Sequence, residues 1–277
     1  MDLVHEPQVI CGRCGGRELR IEYIYSRQFE DHRKPVLCGI RGGGWKHGGM
    51  DQIDPAAIED NPELVRYLNN GIMFVNLRHT PVTEAAFPAN RDDINTALDW
   101  LYANVERLNI RKDAIAIDGG SSGAHLATLI AALRANGPFK PLRAVILRAP
   151  PIDIALWFTQ IHDNETLNQC VRLLLGGTPE QKPELCREAT PLNYINWQMP
   201  PFLVFHGQKD DAVPLVQTEL LKDALDKVGV PVTRVVVENA NHGLGPVDGS
   251  KSRPSLREIS DMKFAFLKKH LPGIIFC

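Results

Sequence analysis

The chain has 277 residues, 44% of them hydrophobic and 23% charged, with a formal net charge of -2. So many apolar residues can fill one large core, and the near-neutral balance excludes the basic footprint of a nucleic-acid binder. No apolar run is long enough to span a bilayer, and MDLVHEPQVI at the start has no basic segment leading into an apolar one, so a cytoplasmic protein with no membrane span is expected.

Residues 19–25 (LRIEYIY) alternate and read as a strand, and 35–40 (PVLCGI) as a fully buried one. Arg41-Gly42-Gly43-Gly44-Trp45 follows at once, and three glycines there cost chain entropy unless the backbone must approach something closely. Residues 61–70 read as a helix with Pro62 at its first position and Gly71 as its stop. Residues 72–77 form the next apolar strand, and 91–108 carry a helical stripe of Ile94, Leu98, Leu101, Val105 and Leu108. A strand from Ile115 runs into an alanine-rich helix ended by Gly137 and Pro138. Residues 143–149 are a strand, and the less regular 152–198 suggests one or two helices broken by Gly176-Gly177 and prolines. The chain closes with strand 201–206, helix 214–228, strand 232–237 and helix 255–270. Strands alternating with helices imply a mainly parallel sheet covered on both faces. The expectation is one α/β domain over residues 1–277 with 152–198 inserted above the sheet, where ligands gather at the strands' carboxyl ends.

Six cysteines, Cys11, Cys14, Cys38, Cys170, Cys186 and Cys277, form no regular framework. Cys11-x-x-Cys14 has no second pair or paired histidines to complete a zinc site, so it reads as two thiols in a glycine-rich hairpin turn. Cys170 and Cys186 could pair only if the chain between them folds back. No spacing of His, Asp and Glu suggests a metal site.

The chemistry centres on Gly119-Gly120-Ser121-Ser122-Gly123, a G-x-S-x-G string between an apolar strand and a helix. A serine that attacks a carbonyl needs its oxygen exposed on such a tight turn, with the helix N-terminus aimed at developing negative charge. Its base and orienting acid should follow in the order serine, acid, histidine. Of nine histidines, His242 and His270 lie late enough, and His242 sits in a loop directly after strand 232–237. His270 ends the last helix, where a cation suits the C-terminus. Asp153, Asp210, Asp211 and Glu238 all lie beyond strand ends. Asp210 is favoured as the acid, with Asp211 as a cap for the coming helix and Asp153 as the residual candidate. The backbone N–H of Ser122, with those of Gly42, Gly43 and Gly44, would hold an oxyanion. His125 and His206 read as packing residues.

With these residues in view, the chain resembles the α/β-hydrolase superfamily, in its esterase/lipase group of hormone-sensitive-lipase-like and acetyl-esterase-like carboxylesterases. Gly42-Gly43-Gly44-Trp45 with Gly48, Asn76-Leu77-Arg78, Phe87-Pro88-Ala89, Gly119 to Ala127, Pro200 to Pro214, and Asn241-His242-Gly243 carry the resemblance together, in order. It implies an eight-stranded, mostly parallel sheet, no cofactor, and hydrolysis of short-chain acyl esters, with acetylated or aromatic-acylated sugars among the substrates. It assigns Ser121 as nucleophile, Asp210 as acid, His242 as base, and Gly42, Gly43 and Ser122 as oxyanion donors. Three departures stand out: Arg41 replaces a histidine before the glycines, Gly120 replaces an acidic or large residue, and Ser122-Gly123-Ala124-His125 replaces Ala-Gly-Gly-His. An arylformamidase-like amide hydrolase is the alternative, and a non-catalytic ligand-binding protein on the same scaffold a third reading. The partner expected is a small-molecule ester, with helix 255–270 and the last strand as the edge of a possible homodimer.

Overall fold

The computed structural model describes residues 1–49, 52–137 and 141–275; Pro138 and Cys277, both singled out in the sequence, lie outside them. Eight strands form one sheet in the order β1-β2-β4-β3-β5-β6-β7-β8. They are β1 (Leu3–Cys14), β2 (Arg17–Ser26), β3 (Lys34–Ile40), β4 (Met73–Leu77), β5 (Ile110–Gly120), β6 (Ala144–Arg148), β7 (Phe202–Gly207) and β8 (Val232–Val237). β2 runs antiparallel to both β1 and β4, and every neighbouring pair from β4 to β8 is parallel. This is the α/β-hydrolase fold.

The central strands read as unbroken apolar runs because both faces are covered: every residue of β3 and of β7 is buried. Side chains alternate across the sheet. Ile117 and Leu147 enter a core with α2 (Ala89–Ala103) and α3 (Ser122–Asn136) on one face. Ala116 and Ile146 enter a core with α1 (Pro62–Asn69) and α8 (Leu256–His270) on the other. Twelve of the fifteen α3 residues are buried, which explains a helix apolar on all sides rather than striped. A capping box between Ser255 and Glu258 starts α8.

Four boundaries differ from the sequence reading. β1 was not expected; its pairing with β2 slips between Glu6 and Val9 and between Ile10 and Gly12, and those bulges blur the alternation. β5 begins at Ile110, five residues before the apolar run. α2 stops at Ala103, while Val105 and Leu108 still pack inward from the following turns and so extend the stripe beyond the helix. The 152–198 segment holds three short α-helices, α4 (Ile154–Gln160), α5 (Glu165–Leu175) and α6 (Pro183–Ala189), and a 3-10 turn at Pro191–Tyr194, where one or two helices were expected. Gly176 ends α5 at φ 70, and Pro183 opens α6. α7 spans Val216–Lys227. The five described cysteines are all free, so neither suggested pair is bonded. Burial pushes the Cys11 thiol up to about 12.

Candidate active site

Ser121 stands at the carboxyl end of β5 with φ 54 and ψ -122, a conformation that a non-glycine residue holds only where its surroundings enforce it. The enforcement is steric. A Cβ on Gly119 would sit 2.5 Å from the Gly123 carbonyl oxygen, and one on Gly123 would meet the carbonyl oxygens of Ile40 and Arg41, the latter at 2.6 Å. The serine's own N–H donates to the Arg148 carbonyl at 2.7 Å, locking the turn to β6. Behind it α3 begins at Ser122, whose N–H lies in the helix's first turn and has no intrahelical acceptor.

The glycine loop after β3 lies against this elbow. A Cβ on Gly42 would sit 2.6 Å from the Gly120 carbonyl oxygen and 3.2 Å from the Ser121 Cβ, so only glycine lets the two backbones come this close. Gly43 (φ 111), Gly44 (φ 64) and Trp45 (φ 58) then turn the chain sharply. Trp45 anchors the loop: its indole N–H donates to His125 Nδ1 at 3.2 Å, and its ring packs edge-on against Trp157 of α4. His125 passes the restraint on, with Nε2 2.6 Å from the Ala189 carbonyl of α6. Accepting at Nδ1 and donating at Nε2 requires a neutral ring, and burial lowers its pKa to about 4. His125 is thus the packing residue expected from sequence, tying the glycine loop to the helices above the sheet.

His242 and Asp210 come together from the other side. Asp210 follows β7 and His242 follows β8, and His242 Nδ1 lies 2.8 Å from Asp210 Oδ2. The Asp210 side chain is fully buried, while the imidazole stays partly open. Burial alone would raise the Asp210 pKa, but hydrogen bonds from His206, His242 and the Val213 N–H hold it well below the usual carboxylate range. Asp210 Oδ1 accepts from the N–H groups of Ala212 (2.9 Å) and Val213 (2.8 Å), which fixes the carboxylate plane. Gly207 lets the histidine loop fold over the end of β7, since a Cβ there would meet the Ala240 carbonyl oxygen at 2.5 Å. Asn241 Oδ1 then gathers the N–H groups of Gly243 and Gly245.

The rival acids are used elsewhere. Asp153 caps α4 through the Leu156 N–H, and Glu238 and Asp211 are exposed. Asp211 does not cap α7, whose N-cap is Leu215 with no side-chain bond. His270 ends α8 packed on Phe266. His206 is buried, as expected of a core histidine, but it does more than fill space. Its Nε2 lies 3.2 Å from Asp210 Oδ2 as well as 2.7 Å from the Val213 carbonyl. Sequence reasoning missed this contact; the signal was the four-residue spacing from His206 to Asp210 across the Gly207 turn.

A cavity of about 520 Å³ opens one residue from the serine, at Gly42 and Gly120 rather than over Ser121 itself. Its charged lining is Arg41, Arg148 and Lys263 against Asp54, Glu63 and Asp118. Lys263 bridges Asp118 (3.0 Å) and Glu63 (3.1 Å); burial disfavours its charge, but the two carboxylates outweigh that and raise its pKa. Among the described residues, no group of three or more His, Cys, Asp or Glu side chains could hold a metal ion, and no helix is long and apolar enough to cross a membrane.

The sheet order, the strained serine elbow and the glycine loop define the esterase/lipase group of the α/β-hydrolases. The BD-FAE family model matches residues 23–225, and the chain belongs to that family. It is 29% identical over 257 residues to Esterase LipQ of Mycobacterium tuberculosis, covering 89% of this chain and 59% of LipQ. It is 27% identical over 236 residues to Esterase LipC of the same organism, covering 82% of this chain and 57% of LipC. The chain thus spans less than two thirds of the length of these relatives. Its fold is similar to that of a truncated carbohydrate esterase from gut microbiota (TM-score 0.72, 20% identity, 96% of each chain covered).

Proposed function

We propose that the protein is a serine carboxylesterase that hydrolyses short-chain acyl esters. The observation that carries this reading is the His242–Asp210 hydrogen bond of 2.8 Å beyond the ends of β7 and β8, together with a serine held at φ 54 at the end of β5. The LipQ and LipC likenesses support it. Ser121 Oγ attacks the ester carbonyl carbon while His242 Nε2 takes its proton, and Asp210 holds the imidazole in the right tautomer and steadies its positive form. The N–H groups of Gly42, Gly43 and Ser122 receive the oxyanion, and Gly44 completes the turn that presents them. Collapse breaks the ester C–O bond, and the proton on His242 leaves with the alcohol. Water repeats the sequence on the acyl-serine and releases the acid.

Residues 152–198, which pack on the glycine loop through Trp157 and on His125 through Ala189, are read as a small cap whose short helices suit compact acyl groups. The cavity beside Gly120 combines an apolar wall of Ile53, Ile58, Leu64 and Phe74 with the charged side chains of Arg41, Asp54 and Arg148, an amphipathic lining that suits an acylated sugar. p-Nitrophenyl esters from acetyl to palmitoyl test the acyl preference, with rates expected to fall as the chain lengthens; a rise would contradict it. N-formylkynurenine in parallel tests the bond: turnover of this amide without turnover of aryl acetate would move the protein to the arylformamidase reading, and inertness to both would favour a ligand-binding protein.

A further inference from the structure

We propose that Arg148 is a positioning residue that fixes the serine elbow and the histidine loop relative to one another; this rests on the esterase reading above. Gly120 and Arg148 face each other in the β5–β6 ladder. The Arg148 carbonyl accepts the Ser121 N–H at 2.7 Å, and its Nη1 donates to the His242 carbonyl at 3.3 Å. One residue thus holds Ser121 through its backbone and His242 through its side chain. The two residues sit on different strands, with β6 and β7 between β5 and β8. Arg148 lies on β6, next to β5, and its side chain reaches past β7 to the loop after β8.

The unusual glycine before the nucleophile is what makes room. A Cβ on Gly120 would land on the Arg148 guanidinium, 3.1 Å from both Cζ and Nε and closer still to Nη2. An acidic or bulky side chain at this position would fill the volume the guanidinium occupies. Arg148 also lines two cavities, the one beside the glycine loop and another under α8, together with Asn61, Glu63 and Lys263. Its planar fork, with five N–H donors, can keep a hold on a backbone carbonyl while lying flat under a glycine, which a lysine ammonium cannot do. The Gly120 departure and the Arg148 contact are therefore one arrangement: the small residue is needed because the arginine is there.

Arg148→Met, Gly120→Ala and the double variant test this, with Arg148→Lys as the conservative replacement. Wild-type turnover of p-nitrophenyl acetate and its loss in Ser121→Ala establish the esterase reading first, in the same assay. Each single variant is expected to lower kcat by about ten- to a hundredfold with little change in KM, as misplacement of a catalytic group does. The double variant is expected to be no worse than Arg148→Met, because both changes remove the same contact. Arg148→Lys should recover little. A rise in KM at unchanged kcat would instead assign Arg148 to substrate binding, and fully additive losses would mean that Gly120 acts independently; either overturns the proposal. The low-field proton resonance of the His242–Asp210 hydrogen bond supplies a readout that needs no turnover. It should shift or broaden in Arg148→Met and Gly120→Ala, and an unchanged signal in folded variants contradicts the proposal even if the protein proves not to be an esterase.

Discussion

The two halves of the site are built by different physics. The serine elbow and glycine loop are held by exclusion: Gly119, Gly123 and Gly42 sit where a Cβ would run into backbone, so the fold admits one residue type at each. The histidine side is held by attraction: Asp210 collects two backbone N–H groups and two imidazoles, and Asn241 gathers its own loop. A steric requirement leaves a fixed glycine spacing behind. A hydrogen-bond network can be satisfied by several residue types, and leaves a weaker trace.

The contrast is sharpened most by breaking the attractive half. Asp210→Asn keeps the shape but removes the charge and presents an amide to His242, so kcat on p-nitrophenyl acetate should drop about 10⁴-fold. A loss of less than tenfold would mean that the carboxylate does not orient the base. The same residue also affects stability. Its native pKa lies below the ordinary value of 3.8, so its contribution is fully present above that pH and is lost as the pH falls through the native value. Acid titration of unfolding should therefore be flatter below pH ~4 in Asp210→Asn than in the wild type.

Breaking the exclusive half should affect folding before chemistry. Gly123→Ala would force backbone apart at Ile40 and Arg41, at a cost of about 1–3 kcal/mol, read as a lower thermal midpoint together with lost activity. Gly229→Ala is the matching comparison: φ is +75 there but nothing lies within 4 Å of the added carbon, so conformational strain of about 1 kcal/mol is the whole expected effect. Equal losses at the two glycines would contradict the steric account of the elbow.

His125 joins the glycine loop to α6 and gives a pH signature of its own. Its buried ring titrates near 4 in the folded chain against 6.5 unfolded, so the unfolded state binds the extra proton between those values. Stability should be unaffected above pH ~6.5 and fall as pH drops toward 4, by about 2 kcal/mol at pH 5. Urea midpoints at pH 7 and pH 5 measure it, and His125→Gln should remove most of the difference. The smallest effect belongs to Ser122, whose buried hydroxyl has no hydrogen-bond partner among the described residues. Ser122→Ala should raise stability by about 1 kcal/mol, and a lower thermal midpoint would reveal a partner for that hydroxyl.

Most of the parallel sheet was legible because buried strands such as VLCGI and FLVFH have no polar face to confuse the pattern. The elbow was legible for the steric reason above, and Asp210 and His242 because each closely follows a strand end. β1 was not, since its bulges break the alternation of buried and exposed residues. The Asp210–His206 contact was hidden because a buried histidine at a strand end has an ordinary packing explanation. Arg148 was hidden as well, because a long side chain that reaches across a neighbouring strand leaves no spacing in the sequence.

The central claim is that Ser121 is the nucleophile activated by His242 and Asp210. Peptide mass spectrometry after treatment with a fluorophosphonate tests it most directly. The expected result is a single phosphonyl adduct on the peptide carrying Ser121 in the wild type, no adduct in Ser121→Ala, and much slower labelling in His242→Ala. A wild-type protein left unlabelled, or labelled at another residue, would contradict the assignment.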